Sequence, residues 1–178
     1  QNQVTRGLLE DALLFFERNK AHIPKKTTMV VLDFALFSGK NRFWVVDMQS
    51  GAVSGYKTAH GKNSDPDHDG YATIFSNTSG SYKSSLGFAL TAERYNGKYA
   101  NSMRLDGLSA SGSPNGMHNT AMRARAIVVH GASYVNQGSS SKQGRSLGCP
   151  ALDDAVSDGV VNKIYGGALF YGANKPLH

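Results

Sequence analysis

A cysteine set directly after a glycine, in Gly144-Arg145-Ser146-Leu147-Gly148-Cys149-Pro150, and a histidine closing an apolar run, Ile127-Val128-Val129-His130-Gly131, make the strongest chemical pairing in this sequence. They stand 19 positions apart, joined by a Gly/Ser-rich stretch that can fold back on itself. A free thiol with a pKa of about 8.5 is mostly protonated at neutral pH, and a neighbouring imidazole can take that proton. Gly148 lets the backbone N–H groups of Leu147, Gly148 and Cys149 approach a developing oxyanion, where fixed donors act most strongly. The pairing therefore points to nucleophilic acyl transfer. From pattern alone the competing reading stays open, because a lone cysteine commonly packs as a small apolar side chain.

Other side chains are candidates for work beside this pair. Arg145 can bind a substrate carboxylate through two parallel hydrogen bonds, or be a solvated loop charge. Ser146 can bond the loop backbone or the thiolate. Tyr134 can line a groove, and His60 ends a strand-like run as His130 does. His118, in Gly116-Met117-His118-Asn119, precedes a short helical turn. For His60 the plain structural role is the stronger of its two readings. Asp65-Pro66-Asp67-His68-Asp69-Gly70 matches the start of a calcium loop, but its twelfth position is Ser76 rather than a bidentate Glu. An acidic surface turn is the better account, and no metal site is assigned.

Composition narrows the classes further. The 178 residues suffice for one domain with a substantial core. No apolar run approaches the roughly 20 residues needed to cross a bilayer. The net charge of +6 suits polyanionic partners or simple solubility. Nucleic acid is disfavoured, because the basic residues are scattered and only Lys25-Lys26 is adjacent. Cys149 is the single cysteine, which excludes an internal disulfide and a Cys-based zinc site. The chain begins at Gln1 without a visible leader; the expectation is a signal peptide already removed, with export argued from chemistry alone.

The elements that must position the pair read as follows. Apolar residues at helical spacing predict a helix over 5–20, with Thr5 as N-cap and Pro24 as stop. Strands are expected over 29–37, 42–47 and 52–60, separated by turn chemistry, as an antiparallel meander. A hairpin is expected from 86–94 and 99–108 around Asn96-Gly97. A strand over 124–130 ends at His130, a helix follows over 152–164, and a last strand covers 168–172. Domain organisation is expected as an N-terminal helical segment, 1–26, and a catalytic domain, 27–178. The fold class is α+β: a single β-rich domain, sandwich or meander, with chemistry on loops at strand ends.

The segment from His130-Gly131 to Ser146-Leu147-Gly148-Cys149 resembles the active-site motif of the L,D-transpeptidases, the YkuD-type family. In that family a His is followed by some fifteen to twenty residues and then Ser/Thr-x-Gly-Cys. The likeness extends to Phe75-Ser76-Asn77, to Ser84-Ser85-Leu86-Gly87, and to the run from Met122 through Ala132. It covers roughly 30–171 and looks like a Gram-negative branch of murein L,D-transpeptidases. The resemblance implies a periplasmic or cell-wall enzyme in which His130 activates Cys149 against a peptidoglycan stem peptide. A thioester forms at the third stem residue, D-Ala leaves, and an amine makes a 3–3 cross-link; a protein amine is a second acceptor class.

No cofactor is implied, and carbapenems are expected to acylate Cys149. His130 needs an orienting acceptor, expected to be a backbone carbonyl near Gly131. Ser85 falls in a loop that shapes the donor pocket. Two departures stand out: Leu147 occupies a position where many members carry His, and Pro150-Ala151 replace an Arg after the Cys, whose work Arg145 can do from the other side. Two alternatives remain: an L,D-carboxypeptidase or endopeptidase using the same site, and a wall-binding module without catalysis.

Overall fold

Five apolar residues in the first quarter of the chain, Met29 to Leu32 and then Phe43 beyond a turn, belong to the core of the sheet. Met29, Val30, Val31, Leu32 and Phe43 are completely buried, and burying such side chains stabilises by about 1.5–3 kcal/mol each. They lie on strands β1 (Lys25–Asp33) and β2 (Phe43–Asp47), which pair antiparallel with Val30 opposite Val45. The computed structural model describes residues 3–178. Strand β3 (Val53–Tyr56) extends β2 antiparallel and completes the expected meander.

The remaining strands continue the same sheet. Strands β4 (Gly87–Gly97) and β5 (Ala100–Gly107) form a hairpin, followed by β6 (Val128–Gly131), the two-residue β7 (Ala151–Leu152) and β8 (Ala168–Ala173). The eight strands run in the order β3-β2-β1-β8-β4-β5-β6-β7. Two neighbours, β1/β8 and β6/β7, are parallel, so the sheet is mixed. The parallel pairs join segments far apart in sequence, which local patterning does not report.

Helix α1 (Arg6–Asn19) lays Leu8, Ala12 and Phe16 on the sheet. Phe15, Phe88 and Tyr171 stack face to face at 3.9 and 4.2 Å between centroids, tying helix, β4 and β8 together. Thr5 holds the N-cap position, but its hydroxyl donates to Asp33 at the end of β1 instead of capping the helix. Helix α2 (Asp154–Ile164) is capped by Asp153, whose carboxylate accepts from Ala155 N–H at 2.8 Å. It buries Val160, Val161 and Ile164 and packs against β5, β6 and β1.

The α+β class, the N-terminal helix and the helix after Cys149 match the sequence reading, while several boundaries move. The hairpin turns at Lys98-Tyr99, one dipeptide after Asn96-Gly97, because Gly97 pairs with Ala100. Residues 121–126 form turns rather than the start of a strand. Leu152 belongs to β7, so α2 starts two residues later than expected.

Candidate active site

Strand β6 ends where chemistry is needed. Its last residues, His130 and Gly131, pair in parallel with Ala151 and Leu152, which follow Cys149-Pro150. This short parallel ladder brings the two segments together across the intervening loop. His130 and Cys149 then line one cleft of about 320 Å³ with Tyr99, Arg125, Ala126, Ile127, Tyr134, Arg145, Ser146 and Leu147.

The imidazole is tightly placed. His130 is 3% exposed, its Nδ1 lies 2.7 Å from the Gly131 carbonyl, and Tyr99 from the β4–β5 turn stacks on the ring at 4.3 Å. A carbonyl only accepts, so Nδ1 carries the proton and Nε2 holds the lone pair in the neutral ring. Burial lowers the His130 pKa, opposed by the Gly131 carbonyl and by Asp154. Gly131 lets α2 approach closely: a Cβ there would stand 2.5 Å from Asp154 Oδ1 and 2.6 Å from Ser157 Oγ, so those side chains would have to shift.

The loop that carries Cys149 is held on both sides. Ser146 Oγ donates to the Cys149 carbonyl at 2.6 Å and accepts from Gly148 N–H at 3.1 Å. Ser84 Oγ donates to the Gly148 carbonyl at 3.1 Å and accepts from Gly61 N–H at 3.0 Å. Ser146 N–H donates to the His60 carbonyl and Lys62 N–H to the Ser146 carbonyl, both at 2.8 Å. Gly148 has φ +123°, and a Cβ there would meet the Lys83 carbonyl at 2.9 Å, so only glycine fits without strain. The Cys149 sulfur faces the Ala126 carbonyl at 3.7 Å and the Val128 N–H at 3.5 Å. Burial pushes the thiol up, while Val128 N–H and Arg125 pull it down.

Of the residues singled out in the sequence, Cys149, His130, Ser146, Leu147, Arg145 and Tyr134 meet at the cleft. Arg145 spends Nη1 on the Lys62 and Asp65 carbonyls. Leu147 projects at the rim, 59% exposed. Burial, with Cys149 nearby, pushes the Tyr134 hydroxyl's pKa above its ordinary value. Ser85 stands behind the cleft, where its hydroxyl accepts from Arg125. His118 is half-buried and does not line the cleft; its backbone N–H donates to the Leu86 carbonyl. Sequence reasoning missed Arg125 and Tyr99 as lining residues. Arg125 carried a usable signal, sitting five positions before His130 on the same run.

His60, one of the candidates for work beside the pair, does not line the cleft. It is 1% exposed and lies between Arg42, Nη2 to Nδ1 at 2.8 Å, and Asp65, Nε2 to Oδ2 at 3.1 Å. Arg42 only donates, so Nδ1 accepts and Nε2–H faces the carboxylate. Protonating Nδ1 would set two donors against each other. Burial and Arg42 accordingly pull the His60 pKa from 6.5 to about 4, against the opposing pull of Asp65. The unfolded chain takes up this proton at higher pH than the folded one, so stability is complete above pH ~6.5 and falls as pH drops toward ~4. The expected loss is about 3 kcal/mol, read from urea denaturation midpoints across that range; a flat midpoint would contradict it.

Asp65, Asp67 and Asp69 bring carboxylate oxygens within 4.8 Å of one another. The Asp65 carboxylate is occupied by the His60 ring and by the Asp69 and Gly70 N–H groups, so it serves as the organiser of its own turn.

The family model of the L,D-transpeptidase catalytic domain matches residues 1–172. No curated protein matches the chain. The match covers nearly the whole chain, which belongs to the L,D-transpeptidase catalytic-domain family.

Proposed function

From membership of the L,D-transpeptidase catalytic-domain family, whose substrates are peptidoglycan, we propose that this chain is an exported enzyme joining stem peptides through a Cys149 thioester. The observation that carries the proposal is the single cleft holding Cys149 and an imidazole anchored through Nδ1. Anchoring at Gly131 leaves Nε2 as the only basic atom of His130, which suits proton transfer to and from the sulfur.

In the proposed reaction Nε2 takes the thiol proton and the sulfur attacks the carbonyl of the third stem residue. The carbon–nitrogen bond to D-Ala breaks, His130 returns the proton to the leaving amine, and a thioester remains. An amine of a second stem attacks that thioester, gives a proton to His130, and restores the thiol. Gly148 N–H is already bonded to Ser146, so the Leu147 and Cys149 N–H groups are the proposed oxyanion donors. The position where many members carry His is Leu147, and a backbone contribution there survives the substitution. Arg145 and Tyr134 are proposed to meet the donor peptide at the rim. No helix among the described residues is long and apolar enough to cross a membrane; the wall substrate is what argues for location outside the cytoplasmic membrane.

The test is incubation with purified tetrapeptide muropeptides beside Cys149→Ala, with products read by mass spectrometry. Dimers lacking one D-Ala, absent from the variant, are the expected result. Loss of D-Ala without dimers would change the assignment to L,D-carboxypeptidase. Untouched substrate with both proteins would remove the tetrapeptide-donor reading. A Cys149 mass adduct with a carbapenem is expected on the same grounds.

A further inference from the structure

Two arginines sit two residues apart before β6 and are treated very differently by the fold. Arg123 is neutralised by Glu93 and Asp106, both within hydrogen-bonding distance. Arg125 meets only neutral acceptors: the Ser76 and Lys83 carbonyls at 2.8 and 2.7 Å, Ser81 Oγ at 3.2 Å, and Ser85 Oγ. No carboxylate pairs with it among the described residues. Four contacts fix its guanidinium against Gly148, where Nη2 would stand 3.5 Å from a Cβ. An uncompensated, immobilised cation beside a nucleophile is a structural statement about where negative charge is expected.

The residues after Arg125 complete the arrangement. Ala126 has φ 53°, a conformation that alanine rarely adopts. The bend is closed by Ile127 N–H on the Met122 carbonyl at 2.9 Å. It leaves the Ala126 carbonyl 3.7 Å and the Val128 N–H 3.5 Å from the sulfur. One four-residue segment therefore offers the sulfur an acceptor, a donor and a fixed positive charge.

We propose that Arg125–Val128 is a cradle for both ionisation states of Cys149. The Ala126 carbonyl receives the neutral S–H, while the Val128 N–H and the Arg125 guanidinium hold the thiolate. The inference rests on Cys149 being the nucleophile, and it adds a counter-charge that is independent of His130. Arg125 acts through the sulfur and is a positioning residue. The other ionisable groups facing the sulfur are His130 from β6, Tyr134 after it, Tyr99 from the β4–β5 turn and Arg145 from the preceding loop; Asp154 acts on His130 from α2. None of the cleft-lining groups is a carboxylate, so Arg125 is not quenched from across the cleft. The opposing pulls of Arg125 and the sulfur on each other's protonation agree with this pairing.

The test is the pH dependence of Cys149 alkylation by iodoacetamide, followed by intact-protein mass, in wild type, Arg125→Gln, Arg125→Lys and Ser81→Ala. Removing a close cation is expected to raise the midpoint in Arg125→Gln by about one pH unit. The thiolate population at neutral pH then falls about tenfold, offset about threefold by the greater nucleophilicity of a more basic thiolate. Arg125→Lys keeps the charge and Ser81→Ala keeps the guanidinium, so both are expected within about half a unit of wild type. An unchanged midpoint in Arg125→Gln overturns the proposal, as does an equal shift in Ser81→Ala, which would mark loop disturbance as the cause. Should the Gln variant not fold, a Lys midpoint near wild type supports the cradle and a rise of a full unit refutes it. Alkylation needs no peptide, so its outcome is separate from any failure on muropeptides.

Discussion

Replacing His130 with alanine is expected to lower kcat on the tetrapeptide donor by about 10²–10⁴-fold, the usual worth of a positioned general base. The geometry concentrates proton transfer on one atom, because Nδ1 is committed to the Gly131 carbonyl at 2.7 Å. Burial holds His130 below its ordinary pKa of 6.5. The base form therefore persists into mildly acidic solution, and the acid limb of the kcat/KM profile should fall below pH ~6.5. In His130→Ala that limb should vanish and residual activity should rise with pH as the thiol ionises unaided. Because the cradle does not include His130, the variant thiol should still be alkylated at high pH. A drop of less than about tenfold in kcat, with the acid limb intact, would assign the base role elsewhere.

The second large effect lies beneath the nucleophile loop. Arg42→Met is expected to cost about 3–5 kcal/mol of folding stability, the range for breaking one side of a buried ionic cluster. Arg42 is fully buried, with Nε and Nη2 on the Thr58 carbonyl at 3.1 and 2.7 Å and Nη1 on the Leu36 carbonyl at 2.9 Å. It is also the cation for two buried carboxylates, Asp33 and Asp65. Methionine fills similar space but leaves the Thr58 and Leu36 carbonyls and the His60 Nδ1 without their donor, and removes the buried positive charge that favours Asp33 and Asp65. Against a typical total of about 5–15 kcal/mol, such a loss is large. Urea denaturation measures it, and a change below about 1 kcal/mol would show that the cluster relaxes or hydrates. Adding Asp65→Asn should cost less than the sum of the two single changes, since they disturb one network. Activity is expected to fall with stability, because the His60 carbonyl holds Ser146 N–H and the Asp65 carbonyl holds Arg145.

The fold was partly legible because its signals are local. Helical spacing in 8–16 marks a face that packs on the sheet, and the apolar runs at 29–32 and 127–129 mark buried strands. Turn residues between 33 and 52 separate the meander strands, since Gly and Asn supply backbone angles that strands lack. The parallel neighbours β1/β8 and β6/β7 were not legible, because their partners are brought together by chain segments with no pattern of their own. The displaced hairpin turn has the same origin: register is settled by β4 and β5 along their length, and it overrode the Asn96-Gly97 preference.

By itself the sequence singled out Cys149 and His130, the pair proposed to react, and the chemistry open to them. One thiol after glycine, one imidazole at the end of an apolar run, and the spacing between them are properties of residue type and order. Tertiary structure decided which other charges count. In the sequence His60, Arg145 and Arg125 are all basic residues with no mark of their partners. Packing buries the first between Arg42 and Asp65, ties the second to backbone carbonyls at the cleft rim, and fixes the third unpaired beside the sulfur. The physical reason is that electrostatic worth depends on distance, burial and partners, and those exist only once the chain has closed on itself.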